Sequence, residues 1–511
     1  MICDYRNRGK VKIGFMVLGI GCIVFIGFYN QPYYPVTWFD EGLALQGAIN
    51  LVRFGEYAMR SAEGFRILDQ PLIANGPGLI IPITLVFQIW GVELMNARTL
   101  MVVYFVMTAL VFYNIASRFN GNISALISIF LLFAIPSEGF IFYGRQALGN
   151  VPALLYFLLG VLIFLKHGNT KKILYALGVG LFFGFALITK GQYWIFVPVL
   201  ALVAIADYFF YKQIGLKFSV TMLLTTLACI STWFLMQLLY LGLENFLNHI
   251  AALSSSAKVT IVALRSIRIP GNLLYLVRSG FLLFILPGLV IALRDSRQPT
   301  LLGLSRFMLV TFVVFWIGWF VFASVGWHRY AFEAYAVGMI LCGEFFSRIF
   351  HRISRDQNNF HASKRQKYLN NVSYLVLATL LCWAGLGFFQ QLALICKGVD
   401  ASAQLFAKYI KDNISTEAVI ESWEWELDLL TLDHIYHHPT NDWVDRKTAE
   451  TQFGEISDQQ YDPLAYDPDF LIVGPFSAWT GIYSKSLSSG CCTHVVTIGD
   501  YTLYQVISLD Q

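Results

Sequence analysis

The sequence predicts a polytopic α-helical membrane protein with a small α/β domain at its C-terminal end. Three observations carry that prediction. Of 511 residues, 57% are hydrophobic and only 13% charged, against about a quarter charged in an ordinary soluble domain. Long apolar runs recur, and the aromatic share of 16% suits the interfacial belts of membrane spans. Beyond residue 396 the chain turns polar, acidic and rich in turn residues. A closed β-barrel would show short alternating segments, which are not seen. The net charge of +4 gives no argument for nucleic acid as a partner, because the basic residues sit in short loops between apolar runs.

A spanning helix needs roughly 20 apolar residues. The first run, 13–29, follows Arg6, Arg8, Lys10 and Lys12 and precedes no small-residue cleavage site. It reads as a retained signal anchor. Further runs cover 97–116, 123–136, 147–166, 173–189, 193–210, 218–241, 273–293, 307–324, 330–350 and 372–396. The stretch 71–90 is apolar but interrupted by Pro71, Gly76, Pro77, Gly78 and Pro82. If it does not cross, Arg118, Lys166, Lys171, Lys172, Lys212, Lys217, Arg294, Arg297, Arg306 and the group Arg348 to Lys367 share the inner side with the N-terminal cluster. If it crosses, all but that first cluster flip outward. The segment is therefore expected to be re-entrant or surface-lying, leaving about eleven spans with the N-terminus inside.

Residues 1–396 then form the transmembrane domain, and the first outer loop is 30–96 with surface helices. The outer side also receives 138–146, Lys190, 242–272, 326–329 and the domain 397–511. Within that domain, "DFLIVGP" and "HVVTIGDYTLYQVI" read as strands, the second with a Gly-Asp turn. "SAQLFAKYIKDNI" reads as an amphipathic helix. There is no internal repeat and no inverted pair of broken helices, the pointer to a secondary transporter. Cys3, Cys22, Cys229, Cys342 and Cys382 show no metal or redox spacing, and one disulfide among Cys396, Cys491 and Cys492 stands open. His434 and His438 have metal-like spacing only in a helix, which Pro439 ends, so Asp433, His434, His437 and His438 read as a packed or solvated loop.

The chemistry candidates cluster on the outer side. Asp40 and Glu41 in "WFDEGLALQGAINLVRFG" place two carboxylates near lipid, which costs free energy unless something uses them. The apolar face Leu45, Ala48, Ile49 and Val52 predicts a helix lying on the membrane surface. Asp40 then reads either as its cap or as a general base or metal ligand at the boundary. Lys190 in "LITKGQYWIFVP" ends one span and starts the next. It reads as a snorkelling lysine or as a grip on a lipid-linked phosphate. Arg145 in "FYGRQALGNVP" is an interfacial anchor or a phosphate contact. Arg329 has Glu333 one turn on, and an i,i+4 ion pair would account for both. Arg278 lies within an apolar run and needs a partner.

The Asp-Glu stretch, followed by "NGPGLIIPITLVFQIWGVELMNAR", resembles the first outer loop of the dolichyl-phosphate-mannose protein mannosyltransferase and aminoarabinose transferase-like family, within the GT-C glycosyltransferase class. The order continues with "GRQALGNVPALLYFLLG", "LITKGQYWIFVP" and "HRYAFEAYAVG", so the resemblance spans nearly the whole chain. It implies an inverting glycosyltransferase in the cell (inner) membrane. The sugar would pass from a polyprenyl-phosphate donor to a glycan, lipid or protein acceptor on the outer face, with membrane lipid around the carrier. Carried over, Asp40 is the base and Glu41 supports it or joins it in binding a divalent cation. Lys190 and Arg145 bind the donor phosphate, with Arg329 a further candidate. The family's usual acid in the second outer loop falls near Asn150, which is no base and a poorer metal ligand; either Glu138 substitutes, or the role is dispensable here, or activity is altered. Two rival readings remain at this stage: a transporter or flippase of lipid-linked glycans, and a non-catalytic glycan-binding scaffold.

Overall fold

A computed structural model of the chain describes residues 19–66, 76–134, 139–262, 264, 266–357, 364–397, 400–454 and 459–507. The membrane part begins with α1 (Gly19–Phe28), α2 (Phe39–Phe54), the small hairpin β1 (Met59–Ser61) and β2 (Gly64–Arg66), and α3 (Pro77–Trp90). It continues through α4 (Leu94–Phe133), α5 (Phe140–Tyr143), α6 (Asn150–His167), α7 (Ile173–Thr189), α8 (Phe196–Ala206), α9 (Leu216–Leu241) and α10 (Leu243–Thr260). It closes with α11 (Ile269–Arg278), α12 (Phe281–Ser296), α13 (Leu301–Ala323), α14 (Phe332–Gln357) and α15 (Lys364–Lys397).

Among the described residues, six helical stretches are long and apolar enough to cross a bilayer, and a seventh if a bent pair counts as one. The protein is a multi-pass membrane protein. α4 carries two of the expected runs, joined where Asn120 and Gly121 (φ +81°) leave helical geometry. The expected span 273–293 is instead the pair α11 and α12, bent by 85°. Arg278 is therefore the exposed last residue of α11 rather than a charge inside a span.

Between lipid-embedded helices the hydrophobic effect gives no drive, so close approach of small residues decides packing. α7 illustrates this. A Cβ at Gly180 would stand 2.5 Å from the Met222 carbonyl oxygen, and one at Gly184 2.5 Å from the Cys229 Cβ, both on α9. Deeper in, Phe157 of α6 stacks on Phe312 of α13 at 4.5 Å. At one end of the bundle the turns after α6, α8 and α12 meet: Gly168 lies against Ile214 and Leu301, and Gln213 donates to the Pro299 carbonyl at 3.0 Å. That end also holds the buried pair Arg306–Glu344 at 3.1 Å.

α3 belongs to the opposite end. With 14 residues it is about 21 Å long, short of the roughly 30 Å hydrocarbon layer. Its first turn meets the end of α7, where the Gly76 amide donates to the Thr189 carbonyl at 3.0 Å. Directly after it, Arg98 near the start of α4 reaches Glu41 at the start of α2. It enters and leaves on the same side of the bundle.

α2 does not lie on lipid as its apolar face suggested. Leu45, Ala48 and Ile49 are buried, packed between α3 and the C-terminal domain. A side chain at Gly42 would collide with the backbone of Trp425 and Glu426, so glycine there lets the two parts close up.

The C-terminal domain adds α16 (Ser402–Asn413), β3 (Val419–Glu421), α17 (Glu426–Thr431), β4 (Ile435–His437), α18 (Asn441–Phe453), β5 (Phe470–Val473), α19 (Pro475–Thr480), α20 (Ser484–Ser488), β6 (Cys492–Ile498) and β7 (Tyr501–Val506). The sheet order is β4-β3-β5-β7-β6, with β3 parallel to both neighbours and β5, β7 and β6 antiparallel. Both expected strands and the expected helix form, and Gly499 (φ +58°) turns the β6–β7 hairpin. Phe406, Ile410, Ile420, Tyr436, Ile472 and Leu503 fill its core. The three histidines are packed: His437 on Glu421, His438 2.8 Å from Asp428, His434 3.2 Å from the Ile414 carbonyl. No disulfide forms among the described residues. The Cys491 and Cys492 sulfurs stand 3.2 Å apart, and Cys396 is free.

Candidate active site

α2 starts after Trp38, which is extended (φ −152°, ψ 177°), and no side chain caps it. Asp40 is thus not the cap; it and Glu41 lie in the first turn, where the helix dipole favours negative charge. Successive helical residues diverge by about 100°, and the two acids part company.

Glu41 turns inward and is fully buried. Its Oε1 accepts from Arg98 Nε at 3.0 Å and the Ala147 amide at 2.9 Å. Its Oε2 accepts from Arg98 Nη2 at 2.6 Å and the Thr37 hydroxyl at 2.7 Å. Arg98, equally buried, also donates to the Gln31 and Pro35 carbonyls. The pair ties the start of α2 to α4 and to the loop before α6.

Asp40 turns outward, with about a fifth of its side chain exposed, and forms an ion pair with Arg329. Arg329 lies in the turn before α14, its guanidinium 4.3 Å from the Trp327 ring centre. It pairs with Asp40 and not with Glu333, as the i,i+4 spacing had suggested.

Glu333, in the first turn of α14, is buried and engaged elsewhere. The Asn150 amide donates to its Oε1 at 3.0 Å, and the Asn150 carbonyl oxygen accepts from Lys190 Nζ at 2.6 Å. Asn150 opens α6, and Lys190 ends α7, where a helix C-terminus favours a cation. A line of polar groups thus runs from Asp40 through Arg329, one turn on to Glu333, and across Asn150 to Lys190.

Arg145 is placed differently from the expectation. It is fully buried, and its guanidinium donates to the backbone carbonyls of Ile26, Tyr29 and Tyr34. It clamps the entry to the first outer loop, all three guanidinium nitrogens donating to those carbonyls. Glu138 lies outside the described residues. Among those described, no three His, Cys, Asp or Glu side chains gather into a metal-binding group. Four donors already occupy the Glu41 oxygens, so Glu41 does not fit a divalent cation, and Asp40 is paired with Arg329.

Sequence reasoning missed Arg98 and misassigned Glu333. The available signal was the carboxylate itself, lodged at the head of an apolar run where such a group needs a partner.

The sequence matches no family model and no curated protein. Solved structures do match. ArnT from Cupriavidus metallidurans, solved bound to undecaprenyl phosphate, superposes with a TM-score of 0.64 at 15% identity, covering 97% of this chain and 98% of that one. The same protein in the apo state gives 0.63 at 14% identity. The oligosaccharyltransferase AglB from Archaeoglobus fulgidus, in complex with an inhibitory peptide and a dolichol-phosphate, gives 0.59 at 10% identity over 98% of this chain and 75% of that one. The chain has the GT-C fold. The resemblance read from the order of the motifs therefore holds at the level of the fold. Within this GT-C fold, Asp40, Arg329, Glu333, Asn150 and Lys190 come together, while Glu41 and Arg145 belong to the frame that holds them.

Proposed function

We propose that this protein is an inverting glycosyltransferase that takes a sugar from a polyprenyl-phosphate carrier and passes it to an acceptor on the outer face of the cell membrane. The observation that carries the reading is the meeting of Asp40 from the first outer loop with Arg329, one turn from the Glu333–Asn150–Lys190 chain. An acid able to take a proton and two cations able to take a phosphate thus stand at one end of the bundle. ArnT, with undecaprenyl phosphate, and AglB, with a dolichol-phosphate, share the fold.

In this reading the donor phosphate draws Arg329 away from Asp40. Asp40 then accepts the proton of an acceptor hydroxyl as its oxygen bonds the anomeric carbon from the face opposite the phosphate. The bond from that carbon to the phosphate oxygen breaks, and the carrier leaves as a phosphate monoester. Charge grows on the leaving phosphate, so Arg329 and Lys190 stabilise the transition state more than the ground state. One such contact is worth about 3 kcal/mol. Asp40 supplies the proton transfer, worth about 10²–10⁴-fold. Glu41 and Arg145 hold the loop. The C-terminal domain lies on the outer face beside α2.

The test is transfer of labelled sugar from a series of polyprenyl-phosphate sugars by the purified protein in lipid. Asp40→Asn is expected to lose at least about a hundredfold in rate while expressing and melting like wild type. Wild-type-level transfer by that variant rejects Asp40 as the base. Movement of lipid-linked glycan across the bilayer with no transfer by wild type favours a transporter instead.

A further inference from the structure

We propose that Glu333 is a positioning residue that acts through the side-chain amide of Asn150, aiming the Lys190 ammonium at the donor phosphate and preserving its charge. This rests on the glycosyltransferase reading above and gives Glu333 a role that the proposed reaction does not assign.

The geometry is directional. Asn150 has one acceptor and one two-hydrogen donor on its amide. Its carbonyl oxygen faces Lys190 Nζ at 2.6 Å, and its NH₂ faces Glu333 Oε1 at 3.0 Å. Both neighbours dictate the same orientation, a cation asking for oxygen and an anion asking for NH₂. Asn150 and Glu333 are each 1% exposed, so bulk solvent has little access to the polar atoms that set this orientation. An aspartate at 150 would set two carboxylates against each other, whereas asparagine passes the anion's influence to the lysine as a fixed dipole. This gives a physical reason for the amide where the resemblance led us to expect an acid.

A buried carboxylate is costly unless paired, and an opposite charge nearby favours the charged form of a lysine. Glu333 and Lys190 answer each other's burial across the amide. The other titratable groups around Lys190 are Tyr193 on its own turn, buried and within reach of the Glu333 charge, and Arg329 and Tyr330 in the turn before α14. The Tyr330 hydroxyl donates to the Thr260 carbonyl at 2.8 Å. Neither tyrosine supplies a negative charge at neutral pH, and Arg329 is occupied by Asp40. Glu333 is thus the anion set against Lys190.

The experiment measures undecaprenyl phosphate binding and sugar transfer against pH for wild type, Glu333→Gln, Lys190→Arg and the Lys190→Arg/Glu333→Gln double variant, using the full chain in lipid nanodiscs. Glutamine can still accept from Asn150, so E333Q removes the charge and spares the shape. The expected result is an alkaline limb of both profiles displaced to lower pH by about one unit in E333Q. The displacement should be absent in the double variant, because arginine keeps its proton throughout. An alkaline limb unmoved in E333Q, or moved equally in the double variant, overturns this inference and leaves the proposed function standing. A wild type that neither binds undecaprenyl phosphate nor transfers sugar overturns the proposed function itself, and this inference with it. Should E333Q fail to fold, Asn150→Leu, which cuts the link and keeps Glu333, is expected to lower phosphate affinity about tenfold; unchanged affinity counts against the proposal.

Discussion

Glu41 and Arg98 bury a complete ion pair at the foot of α2, with both side chains fully inaccessible. Removing one partner strands the other charge, at about 3–5 kcal/mol. Glu41→Ala and Arg98→Ala are therefore expected to fall sharply in Tm in detergent, and the double variant to fall by much less than the sum. An unchanged Tm in either single variant would remove Glu41 from the frame. Asp40→Asn, by contrast, should leave Tm in place and abolish transfer. Local spacing could not separate these two adjacent acids. Their partners lie 57 and 289 residues away, and sequence reading pairs charges chiefly at three or four residues' distance. That same habit assigned Arg329 to Glu333 and left Lys190 without a partner.

At the scale of elements, the apolar runs were legible because period and length suffice to predict a helix, as were the strands and the helix of the C-terminal domain. The partner of an amphipathic face was not. The face of α2 that reads as lipid-facing is satisfied equally well by α3 and by the domain behind Gly42, and nothing local distinguishes them. A second contact between membrane part and domain runs from α10 to α18, where the Ser256 hydroxyl donates to Asp445 at 3.0 Å. Burial, with Asp442 nearby, pushes the Asp445 carboxyl up to about 6, against about 3.9 in an unfolded chain. The folded state thus holds this proton more tightly, and the contact loses stability as pH rises from about 4 to about 6. Hydrogen exchange, corrected for its intrinsic rate, should be faster in α10 and α18 at pH 7.5 than at pH 5. Asp445→Asn should flatten that difference; a contact equally protected at both values would contradict it.

Across the whole molecule, the helices gather basic turns at one end and the Asp40–Lys190 line at the other. The arrangement follows from α3 not crossing, and it puts the C-terminal domain beside the proposed site. Cysteine labelling from outside intact cells should reach an exposed position such as Leu405→Cys and miss an exposed one at the other end such as Asn169→Cys; the reverse would invert the orientation. Composition disclosed the class of protein and the order of motifs its fold. The site required α2, α6, α7 and the turn before α14 to meet, which only tertiary structure brings about. The most direct test is a structure in lipid with a polyprenyl-phosphate sugar bound. The bound phosphate oxygens should lie within about 3 Å of Lys190 Nζ and the Arg329 guanidinium, with Asp40 released and facing the anomeric carbon. A phosphate bound elsewhere, with the Asp40–Arg329 pair still closed, would contradict it.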